Sequence, residues 1–344
     1  MLDVLASVIG NDIALDLGTA NTVMYSRGKG VVLNEPSVVA VDTQSRKVLS
    51  VGSEAKDMVG RTPKHVRAVR PLRDGVIADF DMCEEMLRYF IQSMNHRRWI
   101  KPRMVIAVPS GITGVEQRAV QEAAEYAGAR RPVKIIEEPM AAAIGSNMKV
   151  WEPVGNMIVD IGGGTTEVAV ISLGGIVTNK STRVGGDEID EAIMQYIKKE
   201  LSLMVGERTA EQIKMTLGSA YPLEQEMQAE IRGMDLTTGL PRTSTITTVD
   251  VRMGIQEPVN DICDAVCSTL DDTPPELAAD IMEKGIMLTG GGALLRGLDQ
   301  LVANETGIPV TVAHDPLTSV VRGSGQILEN LERLSDSVIS TNSY

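Results

Sequence analysis

Two stretches of this chain combine a carboxylate with glycines and small hydroxyl residues. In NMIVDIGGGTTEVAVI, residues 156–171, an apolar run ends at Asp160, and a second apolar run begins at Glu167. Both runs have the branched apolar character of strands, so the glycines between them are predicted to form a turn between strands. Backbone N–H groups in such a turn can approach an anion closely. Asp160 would repel a bare phosphate, so its expected partner is a divalent cation.

The stretch DIALDLGTANTVMY, residues 12–25, repeats this plan around Asp16. Neither copy is a dinucleotide fingerprint, because Glu167 replaces the last glycine of that motif in the second copy and no helix follows. Two copies predict two similar halves, whose hairpins and acids converge on one phosphate–metal group. The alternative, two unrelated glycine-containing hairpins, is disfavoured by the matched aspartates.

Two further segments could complete such a site. In GIMLTGGGALLR, residues 285–296, a strand and three glycines precede a helix predicted from about Ala293, whose N-terminus could face phosphate. In EEPMAAAIG, residues 137–145, two glutamates lie where a strand meets a helix. One of them could orient a water as a general base, while a helix-dipole partner is the alternative role.

The bulk composition excludes several classes of protein. With 344 residues, the chain should form two domains. A net charge of -13 and 3% aromatic residues argue against nucleic acid as the main partner. Three cysteines without a CxxC pair suit a reducing compartment, and three scattered histidines give no zinc spacing. The sequence contains no P-loop, GxSxG motif, secretory signal or apolar run of the ~18 residues that span a bilayer.

The elements around these motifs follow from periodicity and end signals. Thr113 and Glu116 predict a capping box for a helix that ends at Gly128. Residues 54–73 are basic and are predicted to be an irregular insert, whose charges form either a solvated face or a subunit contact. Residues 222–252 alternate weakly and predict short strands of a second insert.

The segment NHRRWIKPR, residues 95–103, sets Trp99 and Ile100 among four basic side chains. A tryptophan at the tip of a basic loop suits a membrane interface, with the cations facing anionic lipid. Packing of Trp99 onto its own domain is the alternative, and the residues alone do not decide between the two. The apolar N-terminal residues 1–9 lack Lys and Arg, so their case for lipid binding is weak.

The ordered motifs DLGTANT, LNEPSVVAVD, EEPMAAAIG, DIGGGTTEVAVI, GERTAEQIK, LTGGGALLRG and DPLTSVVRG resemble the bacterial actin family MreB up to about residue 330. LNEPSVVAVD and EEPMAAAIG together separate that family from chaperones and sugar kinases with the same ATPase core. The resemblance implies an α/β, actin-like fold of two duplicated mixed-sheet halves, each with a smaller inserted subdomain, and nucleotide in the central cleft. The implied subdomains are IA (1–30, 76–140 and 320–344), IB (31–75), IIA (141–181 and 253–319) and IIB (182–252).

The resemblance also implies roles for individual residues. Glu138 and Thr165 would be catalytic and position the attacking water, and Asp16 and Asp160 would hold Mg²⁺ through water. Trp99 and Ile100 would form the membrane loop. ATP contacts are implied at Thr19, Ala20 and Asn21, at Gly163, Gly164 and Thr165, at Glu211, Gln212, Ile213 and Lys214, and at Gly291, Gly292, Ala293 and Leu294.

The implied function is an ATP-dependent, filament-forming protein, cytoplasmic and peripheral on the inner membrane, that organises cell-wall synthesis to set cell shape. A weak ATPase coupled to polymerisation would regulate filament turnover. Expected partners are further copies in polar or antiparallel double filaments, an anionic membrane surface, and cell-wall elongation and membrane adaptor proteins, but no nucleic acid. Relatives pair antiparallel filaments through the helix at residues 113–128.

Other functions on the same ATPase core are possible. A plasmid- or organelle-positioning actin is disfavoured by the basic Trp99 loop. A small-molecule kinase would need its own base in the cleft, and the sequence offers no candidate. An Hsp70-like ATPase would need a substrate domain. The chain also departs from the family pattern, because its N-terminus is acidic and short where many relatives are basic, and Gly254 stands where a better helix former is expected.

Overall fold

The computed structural model describes residues 12–94 and 101–330. Its strands, in chain order, are β1 (Ile13–Leu17), β2 (Asn21–Ser26), β3 (Gly30–Pro36), β4 (Val39–Asp42), β5 (Val48–Val51), β6 (Val66–Val69), β7 (Leu72–Arg73), β8 (Val76–Ile77), β9 (Met104–Val108), β10 (Lys134–Glu137), β11 (Asn156–Ile161), β12 (Thr166–Ser172), β13 (Gly175–Thr182), β14 (Leu203–Met204), β15 (Gln228–Asp235), β16 (Pro241–Thr247), β17 (Ile286–Thr289) and β18 (Val310–Val312).

Helices cover the faces and ends of the sheets. They are α1 (Ser53–Met58), α2 (Phe80–Met94), α3 (Gly114–Ala127), α4 (Glu138–Gly145), α5 (Gly186–Leu201), α6 (Glu207–Leu217), α7 (Thr248–Gly254), α8 (Gln256–Asp271), α9 (Pro275–Lys284), α10 (Leu298–Thr306) and α11 (Ser319–Glu329), with a 3₁₀ turn at Gly291–Leu294. The predicted capping box at the start of α3 is confirmed, since Thr113 and Glu116 exchange hydrogen bonds there. No helix in these two described ranges is long and apolar enough to cross a membrane.

Two five-stranded sheets repeat one plan. The first has the order β3-β2-β1-β9-β10, and the second has the order β13-β12-β11-β17-β18. In each sheet three consecutive antiparallel strands are followed by two strands that pair in parallel. Each first hairpin, β1–β2 or β11–β12, carries one of the glycine motifs in its turn. The two similar halves predicted from the repeated sequence motif are therefore confirmed.

A shared core joins the two halves. It combines buried residues of both sheets, such as Ala107 and Ala169, with residues of α4 and α11. The two helices touch backbone to backbone, because a Cβ added at Gly145 would lie 1.8 Å from the Ser319 carbonyl oxygen. A Cβ added at Gly323 would lie 1.8 Å from the Ala141 carbonyl oxygen. Each half also has a larger apolar core of its own.

Each half carries a small inserted sheet. The expectation for the first insert was wrong, and that for the second was confirmed in part. Residues 54–73 are not irregular, because they include α1 and β6, and Ala55 is buried against β4 beside Val38 and Ala40. Because only a few apolar residues form the core of this insert, its many charged residues obscured the apolar periodicity in the sequence. Residues 222–252 form β15 and β16 as expected, but the chain then turns into α7 at Thr248, behind a capping box of Thr247 and Asp250.

The predicted helix from Ala293 is also wrong. The glycine run leads into the 3₁₀ turn, and α10 begins only at Leu298. Between the 3₁₀ turn and α10, Arg296 forms an isolated β-bridge with Ser219, which holds the chain extended. Gly297 then turns the chain with φ +72°.

Gly254, the weak helix former, has a packing role. A Cβ at this position would lie 2.8 Å from the Tyr196 Cβ, so only glycine fits α7 against α5. The sequence-based expectations for residues 1–9, for Trp99 and Ile100, and for the chain after 330 fall outside the described residues.

Candidate functional site

The two glycine turns touch each other across the halves. A Cβ built on Gly163 would lie 2.6 Å from the Ala20 Cβ. One built on Gly164 would lie 3.0 Å from the Thr19 hydroxyl oxygen. Any larger side chain would therefore push the turns apart. The matched motifs of the sequence meet at one place, as their repetition predicted.

A third turn, which the sequence analysis missed, closes one side of this contact. Asp74 and Gly75 join β7 to β8 with φ values of +49° and +76°. The Gly75 amide donates to the Thr19 hydroxyl at 3.0 Å. A Cβ on Gly75 would lie 2.7 Å from Pro109 and 3.1 Å from the Thr165 methyl group. An Asp-Gly pair between short apolar runs is a hairpin signal and could have located this turn.

Three acids line the same place, of which Glu138 and Asp160 are buried and Asp16 is half-buried. Asp16 and Asp160 occupy matching positions on β1 and β11, and Glu138 begins α4 directly after β10. Burial raises the pKa of Asp16 to about 7. Burial, and then the charges of Asp16 and Glu167, raise the pKa of Asp160 well above its usual value. The pKa of Glu138 is also raised well above its usual value, by burial first and then by the charges of Asp16, Glu167 and Asp160.

Glu167 is a further buried acid that the sequence analysis assigned no role. It pairs with Asp160 in the β11–β12 register and is 1% exposed. Its Oε2 atom accepts hydrogen bonds from the Ser110 amide at 3.2 Å and from the Ser110 hydroxyl. Its Oε1 atom accepts one from the Ser181 hydroxyl at 2.5 Å. Burial raises the pKa of Glu167, and the hydrogen bonds from Ser110 and Ser181 oppose that rise.

The carboxylates of Asp16 and Asp160 fit a hydrated divalent cation. Within the described residues, no basic side chain forms an ion pair with Asp16, Glu138 or Asp160, so their mutual repulsion is uncompensated by protein. Nor do the described residues contain a group of three or more His, Cys, Asp or Glu side chains arranged to hold a metal directly. Mg²⁺ keeps several waters and needs only one or two carboxylates, so the two aspartates suit it.

The residues predicted to flank adenosine lie on α6. The Lys214 Nζ atom donates to the Gly186 carbonyl at 2.7 Å and to Asp190 at 2.9 Å. Gly186 in turn lies against Gly163, since its added Cβ would be 3.7 Å from the Gly163 Cα and 3.2 Å from the Lys214 Nζ. Lys214 therefore lies beside the second glycine turn, that of residues 162–165.

The other three predicted α6 residues differ in their surroundings. Glu211 accepts from the Lys56 Nζ atom at 2.8 Å. Gln212 is exposed, and Ile213 is buried in the core of the second half.

The third glycine run, Gly290–Gly292, packs against the end of β11. A Cβ on Gly290 would lie 2.3 Å from the Ile161 carbonyl oxygen and 2.6 Å from the Asp160 Oδ1 atom. One on Gly292 would lie 2.1 Å from the Ile161 side chain. The predicted contacts at Gly291–Leu294 thus lie next to Asp160, with Ala293 buried and Leu294 56% exposed. The remaining predicted contact, Asn21, donates through its side chain to Asn34 at 2.7 Å.

Ion pairs join the inserted segment of the first half to that of the second half. We call this set the clasp. Its pairs are Lys56–Glu211 at 2.8 Å, Asp57–Arg208 at 2.8 Å, Arg70–Asp187 at 3.2 Å and Arg70–Glu207 at 3.1 Å. Arg70 was expected on a solvated face or at a subunit contact. It instead lies in a contact between the halves, because its partners come from the distant helices α5 and α6.

Duplicated sheets whose glycine turns meet beside a group of acids place the chain in the actin-like class of folds. The model of the family "MreB/Mbl protein" matches residues 10–336. The chain is 51% identical to the cell shape-determining protein MreB of Escherichia coli (strain K12) over 338 residues, which covers 96% of this chain and 97% of the relative. It is 51% identical to the cell shape-determining protein Mbl of Bacillus subtilis (strain 168) over 328 residues, with 95% and 98% covered.

The crystal structure of MreB 5 of Spiroplasma citri bound to AMPPNP superimposes with a TM-score of 0.90 at 37% identity, covering 95% of this chain and 98% of that one. The chain belongs to the MreB/Mbl family.

Proposed function

We propose that this chain binds ATP with Mg²⁺ between its halves and assembles into filaments that organise cell-wall synthesis and set cell shape. The observation that carries the proposal is the convergence of two matched turns, from the two halves, on one set of buried acids. It is supported by the relatives called cell shape-determining proteins and by the AMPPNP complex of MreB 5.

The turns of the two halves would hold the phosphates. Thr19, Ala20 and Asn21 would contact them from the first half, and Gly163, Gly164 and Thr165 from the second. Mg²⁺ would neutralise phosphate charge, with Asp16 and Asp160 holding its waters. Phosphoryl transfer depends on positioning and charge stabilisation more than on covalent chemistry by the protein.

Glu138 and Thr165 would orient the attacking water from opposite halves. Glu138 begins α4 at the edge of the first sheet, and Thr165 closes the β11–β12 turn of the second. Because each half contributes one of the two groups, closure of the cleft would set the hydrolysis rate. A weak ATPase that responds to assembly would then time filament turnover.

The α6 residues Glu211–Lys214 and the turn Gly291–Leu294 would flank the adenosine. We retain the four subdomains, with the boundaries given above, as part of the proposal. Assembly partners would be further copies of this chain in double filaments, with α3 as the lateral contact, and cell-wall elongation and membrane adaptor proteins.

We further propose that filaments lie on the inner face of the membrane through Trp99 and Ile100. Nearby basic residues would each add about 1 kcal/mol of attraction to an anionic leaflet. Insertion of the indole at headgroup depth would add apolar contact.

Co-sedimentation tests both parts of the proposal. The native protein would be mixed with ATP, AMPPNP or no nucleotide, with and without vesicles that contain anionic lipid. We expect filaments to pellet only with nucleotide, and to pellet with vesicles unless Trp99 and Ile100 are both replaced by glutamate. Leu173→Glu/Met215→Glu is a matched control, because those side chains are 70% and 63% exposed and the charge change is the same. Pelleting without nucleotide would contradict the filament proposal, and retained vesicle binding by the Trp99/Ile100 variant would contradict the membrane loop.

A further inference from the structure

The hydrogen bonds of Glu167 cross between the two halves of the molecule. Glu167 lies on β12 of the second sheet, whereas Ser110 follows β9 of the first. Both residues are buried, with 1% and 3% of their surface exposed. Ser110 donates through both its amide and its hydroxyl to one oxygen of the carboxylate. The other oxygen accepts from Ser181, which lies on β13 of the same sheet as Glu167.

This link joins the two segments that carry the proposed water-orienting groups. In the first half, β9 and β10 are parallel neighbours, with Val108 opposite Glu137. Ser110 and Glu138 therefore follow the carboxyl ends of two adjacent strands. On the second-half side, Glu167 follows Thr165 by two residues on the same chain segment. The link therefore acts on the relative position of Glu138 and Thr165.

We propose that Glu167 is a positioning residue for nucleotide hydrolysis, which holds Ser110 across the halves and so fixes Glu138 relative to Thr165. This inference rests on the proposed ATPase function. The hydrogen bonds that Glu167 accepts from Ser110 and Ser181 favour its ionised form over the protonated one. Hydrogen bonds to an ionised carboxylate are about twice as strong as neutral ones, so a neutral acceptor would hold this geometry less firmly. Phosphate binding, as proposed, would use contacts within each turn and would depend less on the link.

The geometry predicts a selective effect on the rate. A misplacement of about 1 Å between reacting groups can cost about 100-fold in rate. Removal of the Ser110 hydroxyl should therefore slow hydrolysis by about 10-fold or more and change nucleotide affinity by less than about 3-fold. Removal of the Ser181 hydroxyl, which contacts the same carboxylate from within one half, should slow hydrolysis much less.

The test compares Ser110→Ala, Ser181→Ala, Ser110→Thr and Glu167→Gln in the full chain. Single-turnover hydrolysis gives the rate, titration with a fluorescent ATP analogue gives the affinity, and thermal unfolding reports folding. We expect Ser110→Ala and Glu167→Gln to lose rate with affinity retained, and Ser110→Thr, which keeps the hydroxyl, to recover most of the rate.

Two results would overturn the proposal. One is a Ser110→Ala variant that hydrolyses at the native rate, and the other is equal loss in Ser110→Ala and Ser181→Ala. Failure of the native protein to bind the analogue would instead refute the proposed function, so the two failures are distinguishable.

Discussion

Glu138 is a buried acid at the start of α4, close to the charges of Asp16, Glu167 and Asp160. It is 8% exposed, and in the part of the chain that the structure describes no basic side chain pairs with it. A general base contributes about 10²–10⁴-fold to a rate when it lies within reach of the proton that it takes. We therefore expect Glu138→Gln to slow single-turnover ATP hydrolysis by about 100-fold. Titration with a fluorescent ATP analogue should give an affinity within about 3-fold of native, because the phosphate turns are unchanged.

Glu137 is the matched control for that variant. It is the residue before Glu138, with a pKa that burial raises, and its position at the N-cap of α4 suits a helix-dipole partner. Glu137→Gln should keep the hydrolysis rate within about 3-fold of native, since a dipole contact acts on stability. Equal losses in the two variants would contradict the assignment of the base to Glu138.

At the scale of elements, the crossing of α4 and α11 decides how the two halves sit together. Gly323 packs its backbone on the Ala141 carbonyl, with no room for a Cβ. We expect Gly323→Ala to lower the free energy of unfolding by about 3 kcal/mol, because an added methyl group must separate two buried helices. Thermal and denaturant unfolding would measure this loss.

Gly114→Ala provides the comparison for Gly323→Ala. Gly114 begins α3, and nothing lies within 4 Å of an added Cβ. The free energy of unfolding should change by less than about 1 kcal/mol, in the stabilising direction, because alanine has the higher helix propensity. Equal free energies of unfolding for the two glycine variants would contradict the proposed role of Gly323 in close helix packing.

Local patterns were enough to predict the elements that rely on local contacts. The β11–β12 hairpin, the α3 capping box and the helix start at Glu138–Pro139 are each specified by adjacent residues. The insert around α1 was predicted, but its regular structure was missed because only a few small apolar residues, such as Ala55, mark its core. The helix expected from Ala293 was displaced by a bridge between Arg296 and Ser219, which no local pattern encodes.

The same limit applies to the candidate site. Asp16 and Asp160 could be found because their motifs repeat along the chain. Glu167 could not, because its role comes from Ser110, which is 57 residues away and on the other sheet. The Asp74–Gly75 turn reaches the site only through tertiary packing against Pro109 and Thr165.

At the scale of the whole molecule, the clasp is a second contact between the halves, formed by other residues than the helix crossing. Its pairs are partly exposed, and such pairs contribute about 0.2–1 kcal/mol each. Together they would favour the closed cleft by about 1–2 kcal/mol, which corresponds to a factor of about 5–30 in the closed population. If nucleotide binds between the halves as proposed, its release would require these pairs to open.

We therefore expect Arg70→Gln to speed nucleotide release by about 3–10-fold, because it removes two of the pairs, those to Asp187 and Glu207. Stopped-flow displacement of a fluorescent nucleotide would measure the release rate. Arg67→Gln is the control, since Arg67 is exposed on the same insert and has no ion pair within the described residues. Added salt should speed release from the native protein more than from the Arg70 variant, because salt screens exposed ion pairs and the variant has two fewer of them. Equal release rates for the two arginine variants, or equal salt dependence in native protein and the Arg70 variant, would mean that the clasp does not control nucleotide exit.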